Sequence, residues 1–104
     1  MEVEMDRHPL ETIRKLDHEF FDLVTQSSER AFADGALSAK TKYLLAMALD
    51  AAHGATGGVT SLARQAIEHG ASKEEIVEAI QVAGFISGVG SVYTASFGLA
   101  DVFK

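Results

Sequence analysis

The sequence predicts an all-α bundle of about five helices, and three observations carry that prediction. Apolar residues recur at intervals of three and four through most of the chain, as one face of a helix requires. No stretch alternates apolar and polar residues in the strand period. A single proline and short glycine-bearing joints separate the periodic runs, an arrangement that suits antiparallel helices.

Residues 1–8 are polar and charged, and a flexible segment is expected there; residues 9–104 read as one domain. Pro9 suits the first turn of a helix, where its missing N–H is not needed. From there Leu10, Ile13, Leu16, Phe20, Leu23 and Val24 lie on one face, predicting an amphipathic helix to about residue 30. Asp34-Gly35 breaks it.

Ser38 is a fitting N-cap for a second helix, which runs to about Ala52 and stops at His53-Gly54. Leu44, Leu45, Ala46, Met47, Ala48 and Leu49 make this helix apolar on nearly every side, so burial on every side is expected. Thr56 is a candidate cap for a third helix, whose stripe is Val59, Leu62, Ala63, Ala66 and Ile67. Gly70 ends it, and Ser72 with Glu75 forms a capping box for a fourth helix carrying Ile76, Ala79, Ile80 and Ala83. The last helix holds Val92, Tyr93, Ala95, Phe97, Leu99, Val102 and Phe103. Its Ala95, Ser96 and Gly98 would let a neighbouring helix approach closely.

Composition narrows the function. Of 104 residues 47% are hydrophobic, and a mean hydropathy of +0.10 is high for so small a domain. Contact between copies accommodates that excess, so a homo-oligomer is expected. The net charge of −6 is concentrated at the front, with nine acids against four bases in residues 1–35 and six against five in the rest. No basic stripe is present to neutralise phosphates, which argues against nucleic acid. The chain has no cysteine, which removes disulfides, thiolate metal sites and thiol catalysis. The acidic opening Met1-Glu2-Val3-Glu4 has no apolar run behind it, and no run reaches the length of a membrane span. A cytoplasmic protein with no membrane partner is the expectation.

The joint His53-Gly54-Ala55-Thr56-Gly57-Gly58 is the candidate site. Its glycines superficially suggest a phosphate loop, but no strand precedes them and no lysine-serine or lysine-threonine pair follows. Tight reversal between packed helices is the simpler reading. His53 is a candidate acid, although a histidine also suits a helix carboxyl end through the dipole. The Gly57 and Gly58 amides at the next helix start could hold an anion, and Arg64 two turns on could neutralise a second. The acids Glu74, Glu75 and Glu78 have no histidine at helical spacing; capping explains them better than a metal, and no metal or cofactor is expected.

The order K-T-K-x-L-L-A-M-A-L-D-A-A-H-G, a short joint, A-R-Q-A-I-E-H-G and G-A-S-K-E-E-I-V-E-A-I resembles the carboxymuconolactone decarboxylase family, which includes the alkylhydroperoxidase D proteins. The resemblance covers about residues 37–99 and implies an alkylhydroperoxidase D-like oligomeric bundle, a trimer or hexamer. Peroxide-reducing members of the family use two cysteines, a histidine and a glutamate. Here those positions hold Ala55, Gly58, Leu62 and Tyr43, none of which replaces thiolate, base or proton carrier. The decarboxylase branch does not depend on the cysteine pair. The resemblance therefore implies a non-redox, cofactor-free protein acting on or binding a small carboxylate or lactone-like molecule. His53 would be its acid–base group, Tyr43 and Thr56 would orient the ligand, and Gly57, Gly58 and Arg64 would hold its charge. A catalytically silent oligomeric scaffold or binding protein is the alternative, and a thiol peroxidase ranks last.

Overall fold

The computed structural model describes residues 9–104 and is helical throughout, without strands among those residues. The flexible segment expected at residues 1–8 lies outside the described residues. The six helices are α1 (Glu11–Leu16), α2 (His18–Phe32), α3 (Ala39–Ala52), α4 (Thr56–Glu68), α5 (Lys73–Ser87) and α6 (Val89–Leu99). They fall into two compact units, one ending at Ala33 and one spanning Asp34–Lys104, a boundary inside the span that the sequence reads as one domain.

In the first unit, the single amphipathic helix expected from Pro9 is instead two. Asp17 is extended (φ −155°, ψ 92°), and its Oδ1 accepts a bond of 3.0 Å from the Phe20 amide, making it the N-cap of α2. An aspartate in a continuous apolar pattern competes for the backbone in this way. The Arg14 guanidinium grips Glu11 from the preceding turn, and the carboxylate holds it above its ordinary pKa. No residue of α2 is buried, and Phe20 and Leu23 on its apolar face are exposed.

In the second unit, the Asp34 carboxylate accepts from the Ala39 amide (2.7 Å) and the Ser38 hydroxyl accepts from the Thr41 amide (3.1 Å), so both oxygens serve the start of α3. α3 packs against α4, α5 and α6, and α6 also packs against α4 and α5. Met47, Val59 and Ile76 are fully buried at the centre, with Ala51, Ala63, Ile80 and Ala95 around them. The predicted all-round burial of α3 is not found: Leu45 and Leu49, one turn apart, are 51% and 60% exposed. The opposite side, with Met47 and Ala51, is the one that packs into the core.

Both turns of the α3–α4–α5 run are closed alike. The Ala55 amide donates to Asp50 O (2.8 Å) and the Gly54 amide to Ala51 O (3.3 Å), with Gly54 at φ +78°. Sixteen residues on, Ala71 donates to Ala66 O and Gly70 to Ile67 O, each at 2.9 Å. These are two Schellman motifs, each with a His-Gly pair at its turn. The expected capping box of α5 is present: Ser72 Oγ accepts from the Glu75 amide (3.1 Å), and Glu75 Oε1 accepts from the Ser72 amide (2.9 Å). Lys40 reaches across from α3 to Glu75 Oε2 at 3.0 Å.

Candidate functional site

The joint places His53 at the end of α3 and Thr56, Gly57 and Gly58 in the first turn of α4. His53, Thr56 and Gly57 are exposed, and Gly58 is half-buried. Thr56 is the first helical residue and not the cap expected from the sequence. Ala55 stands at the N-cap, where it has no side chain to offer the free amides.

That end of α4 is pinned from two sides. From α3, the Asp50 carboxylate lies against Gly58: a Cβ built on Gly58 would meet Asp50 Oδ2 at 1.9 Å and Cγ at 2.8 Å. From α6, Gly98 presses so close that a Cβ there would meet Thr56 O and the Val59 side chain at 2.8 Å. Thr60 seals the contact by donating its hydroxyl to Gly98 O at 2.5 Å. Gly98 thus provides the close helix approach expected of the small residues in this helix.

Asp50 is the residue at the candidate site that sequence reasoning passed over. A signal was there: Asp50 is the sole acid in α3, and it stands near the carboxyl end, where the helix dipole disfavours negative charge. The fold aims it at the amino end of α4, whose partial positive charge favours it. The place that the sequence assigns to an external anion therefore already has a carboxylate beside it.

Two further candidates lie away from the joint. Tyr43 is ten residues before His53, about 15 Å along α3, and its half-buried ring lies 5.0 Å from that of His69. His69 Nδ1 is 2.8 Å from Gln65 O, and because a carbonyl only accepts, that nitrogen carries the proton. Arg64 is exposed on α4, about 12 Å beyond Thr56 by helical rise. His53, Thr56, Gly57 and Gly58 thus stand close in the chain at the joint, with Tyr43 and Arg64 further along the hairpin. Among the described residues, no three His, Cys, Asp or Glu side chains cluster so as to hold a metal, and no helix is long and apolar enough to cross a membrane.

The outer surface of α5 and α6 is a separate feature. No charged residue occurs from Ala79 to Ala100. A cleft of about 250 Å³ lies between the two helices, lined by Val77, Ile80, Gln81, Val92, Ala95, Ser96 and Leu99.

Comparison with known proteins places these features in a family. The model of the carboxymuconolactone decarboxylase family matches residues 18–101. The structure is similar to the crystal structure of apo-lpg0406, a carboxymuconolactone decarboxylase family protein from Legionella pneumophila. The TM-score is 0.81 at 31% identity, over 86% of this chain and 80% of that one. Among curated proteins, none matches the sequence. With a family match across most of its length and a shared helical architecture, the chain belongs to the carboxymuconolactone decarboxylase family.

Proposed function

We propose that this chain is a non-redox family member that acts on or binds a small carboxylate or lactone-like molecule at the α3–α4 joint, as a homo-trimer or homo-hexamer. The observation that supports this reading is the position of His53 at the end of α3, three residues before the helix start that carries Thr56 and the Gly57 and Gly58 amides. In a decarboxylation the bond to the carboxyl carbon breaks, CO₂ leaves, and its electron pair passes into the neighbouring carbonyl as an enolate. The α4 amides suit that negative charge. His53 then protonates carbon. No cofactor is needed for these steps. Tyr43 as a ligand-orienting group and Arg64 as a partner for a second charge stand further along the hairpin, so the reading rests first on His53, Thr56 and the glycines. Thiol peroxidase activity would need a cysteine from another protein, because this sequence has none.

A second reading has its own observation. Asp50 already lies at the start of α4, which favours a catalytically silent binding or assembly protein that retains only the scaffold. The test is CO₂ release from a panel of small β-keto and lactone carboxylates by wild type and His53→Ala. An acid–base role predicts a loss of about 10²–10⁴-fold in the variant. Turnover that survives the change unaltered removes His53 from the site, and absence of both turnover and binding leaves the scaffold.

A further inference from the structure

We propose that the outer face of α6, with the adjoining cleft to α5, is the surface on which a second copy of this chain docks. The proposal rests on the self-assembly reading above and locates it. Val89, Val92, Tyr93, Ser96 and Phe97 follow one another at spacings of three and one, so they form one continuous helix face. All five are exposed, Tyr93 by 65% and Phe97 by 73%. On α5, Val77, Gln81 and Phe85 continue the surface at four-residue intervals, and Phe85 is 88% exposed.

Area, charge and shape each favour a second copy. The three aromatic rings alone present roughly 450 Å² of surface, and the valines bring the face near the ~800 Å² per partner of a stable interface. A lone chain rarely leaves so large an apolar patch in water. The chain carries a net charge of −6, so two copies repel unless they meet where charge is absent. The segment from Ala79 to Ala100 meets that condition, since a self-contact across it opposes no like charges. An anionic lipid surface would instead require lysines or arginines here, and this segment has none. Finally, the face carries both projecting rings and a cleft of about 250 Å³. Knob and hole on the same surface are what a self-complementary contact uses.

The test is the mass in solution of wild type and of the double variant Tyr93→Asp/Phe97→Asp, with helicity followed by circular dichroism. The expected result is an assembled wild type and a folded variant of smaller mass, down to the 11.1 kDa monomer if this face is the sole contact. An assembled wild type whose variant keeps the same mass overturns this face while leaving self-assembly intact. A wild type that is monomeric at every concentration overturns both. Should the variant fail to fold, the lack of native cysteines provides a second measurement. A lone thiol from Ser96→Cys should react about tenfold more slowly with a thiol reagent than one from Ser61→Cys, because docking excludes it from solvent. Equal rates overturn the proposal.

Discussion

Asp50 and Gly58 compete for one space at the start of α4: the Asp50 carboxylate occupies the position from which any side chain on Gly58 would grow. Gly57, one residue earlier, has nothing within 4 Å of the corresponding position. The two neighbouring glycines should therefore respond oppositely to alanine. Gly58→Ala must displace Asp50 and should destabilise by ~1–2 kcal/mol. Gly57→Ala should be neutral or stabilising by up to about 1 kcal/mol, the helix preference of alanine over glycine. In a double-mutant cycle by urea denaturation, Asp50→Ala should recover most of the Gly58→Ala loss. Additive effects would show that the two residues do not compete.

Ser91, in the first turn of α6, is only 3% exposed, and its hydroxyl has no hydrogen-bond partner among the described residues. Burying an unsatisfied hydroxyl costs free energy. Ser91→Ala should therefore stabilise the protein by about 1 kcal/mol, aided by alanine's helix propensity. Thermal unfolding checks this directly, and a lower Tm for the variant would mean that the hydroxyl makes a bond worth keeping.

What could be read in the sequence, and what could not, divides along the range of the interactions. The start of α3 at Ser38, the capping box of Ser72 and Glu75, and the glycine stops at Gly54 and Gly70 are local, set by residues within a few positions of each other. Those signals were legible. The break at Asp17 was missed because apolar periodicity continues through it, and only the capping chemistry of aspartate marks it. Asp50 on Gly58 and Gly98 on Val59 join residues on different helices, which periodicity does not encode. Nor does an apolar face announce whether its cover is the chain's own core: the pattern that buries Met47 leaves Leu49 exposed.

Glu75 ties the capping box to α3, and this should appear as a pH dependence. Its carboxyl is held below the ordinary glutamate pKa, first by the Ser72 backbone amide and then by the Lys40 ammonium. A depressed folded-state pKa means that the contribution is fully present above the unfolded pKa. It is lost as pH falls through the folded value. Wild-type stability should thus decline as pH falls below the normal glutamate range of about 4.3, and Glu75→Gln should flatten that decline. The amide oxygen of glutamine still accepts from the Ser72 amide, so at neutral pH the variant should lose less than Glu75→Ala. Urea midpoints across an acidic pH series test this, and equal slopes for wild type and Glu75→Gln would remove Glu75 from the account.

The two functional readings diverge most sharply in what Asp50 does to an added anion. If its carboxylate fills the place of a ligand at α4, wild type should bind small carboxylates weakly, and Asp50→Ala should bind them better. Removing a negative charge beside the free amides leaves the helix start with its partial positive charge uncompensated. Amide chemical shifts of Gly57 and Gly58 during an acetate titration report this site alone. A response confined to Asp50→Ala would mean that the wild-type site is closed by its own carboxylate, as the scaffold reading requires. A response in wild type that the variant does not strengthen would mean that Asp50 leaves room for a ligand beside His53, and the acid–base reading would gain the occupant it needs.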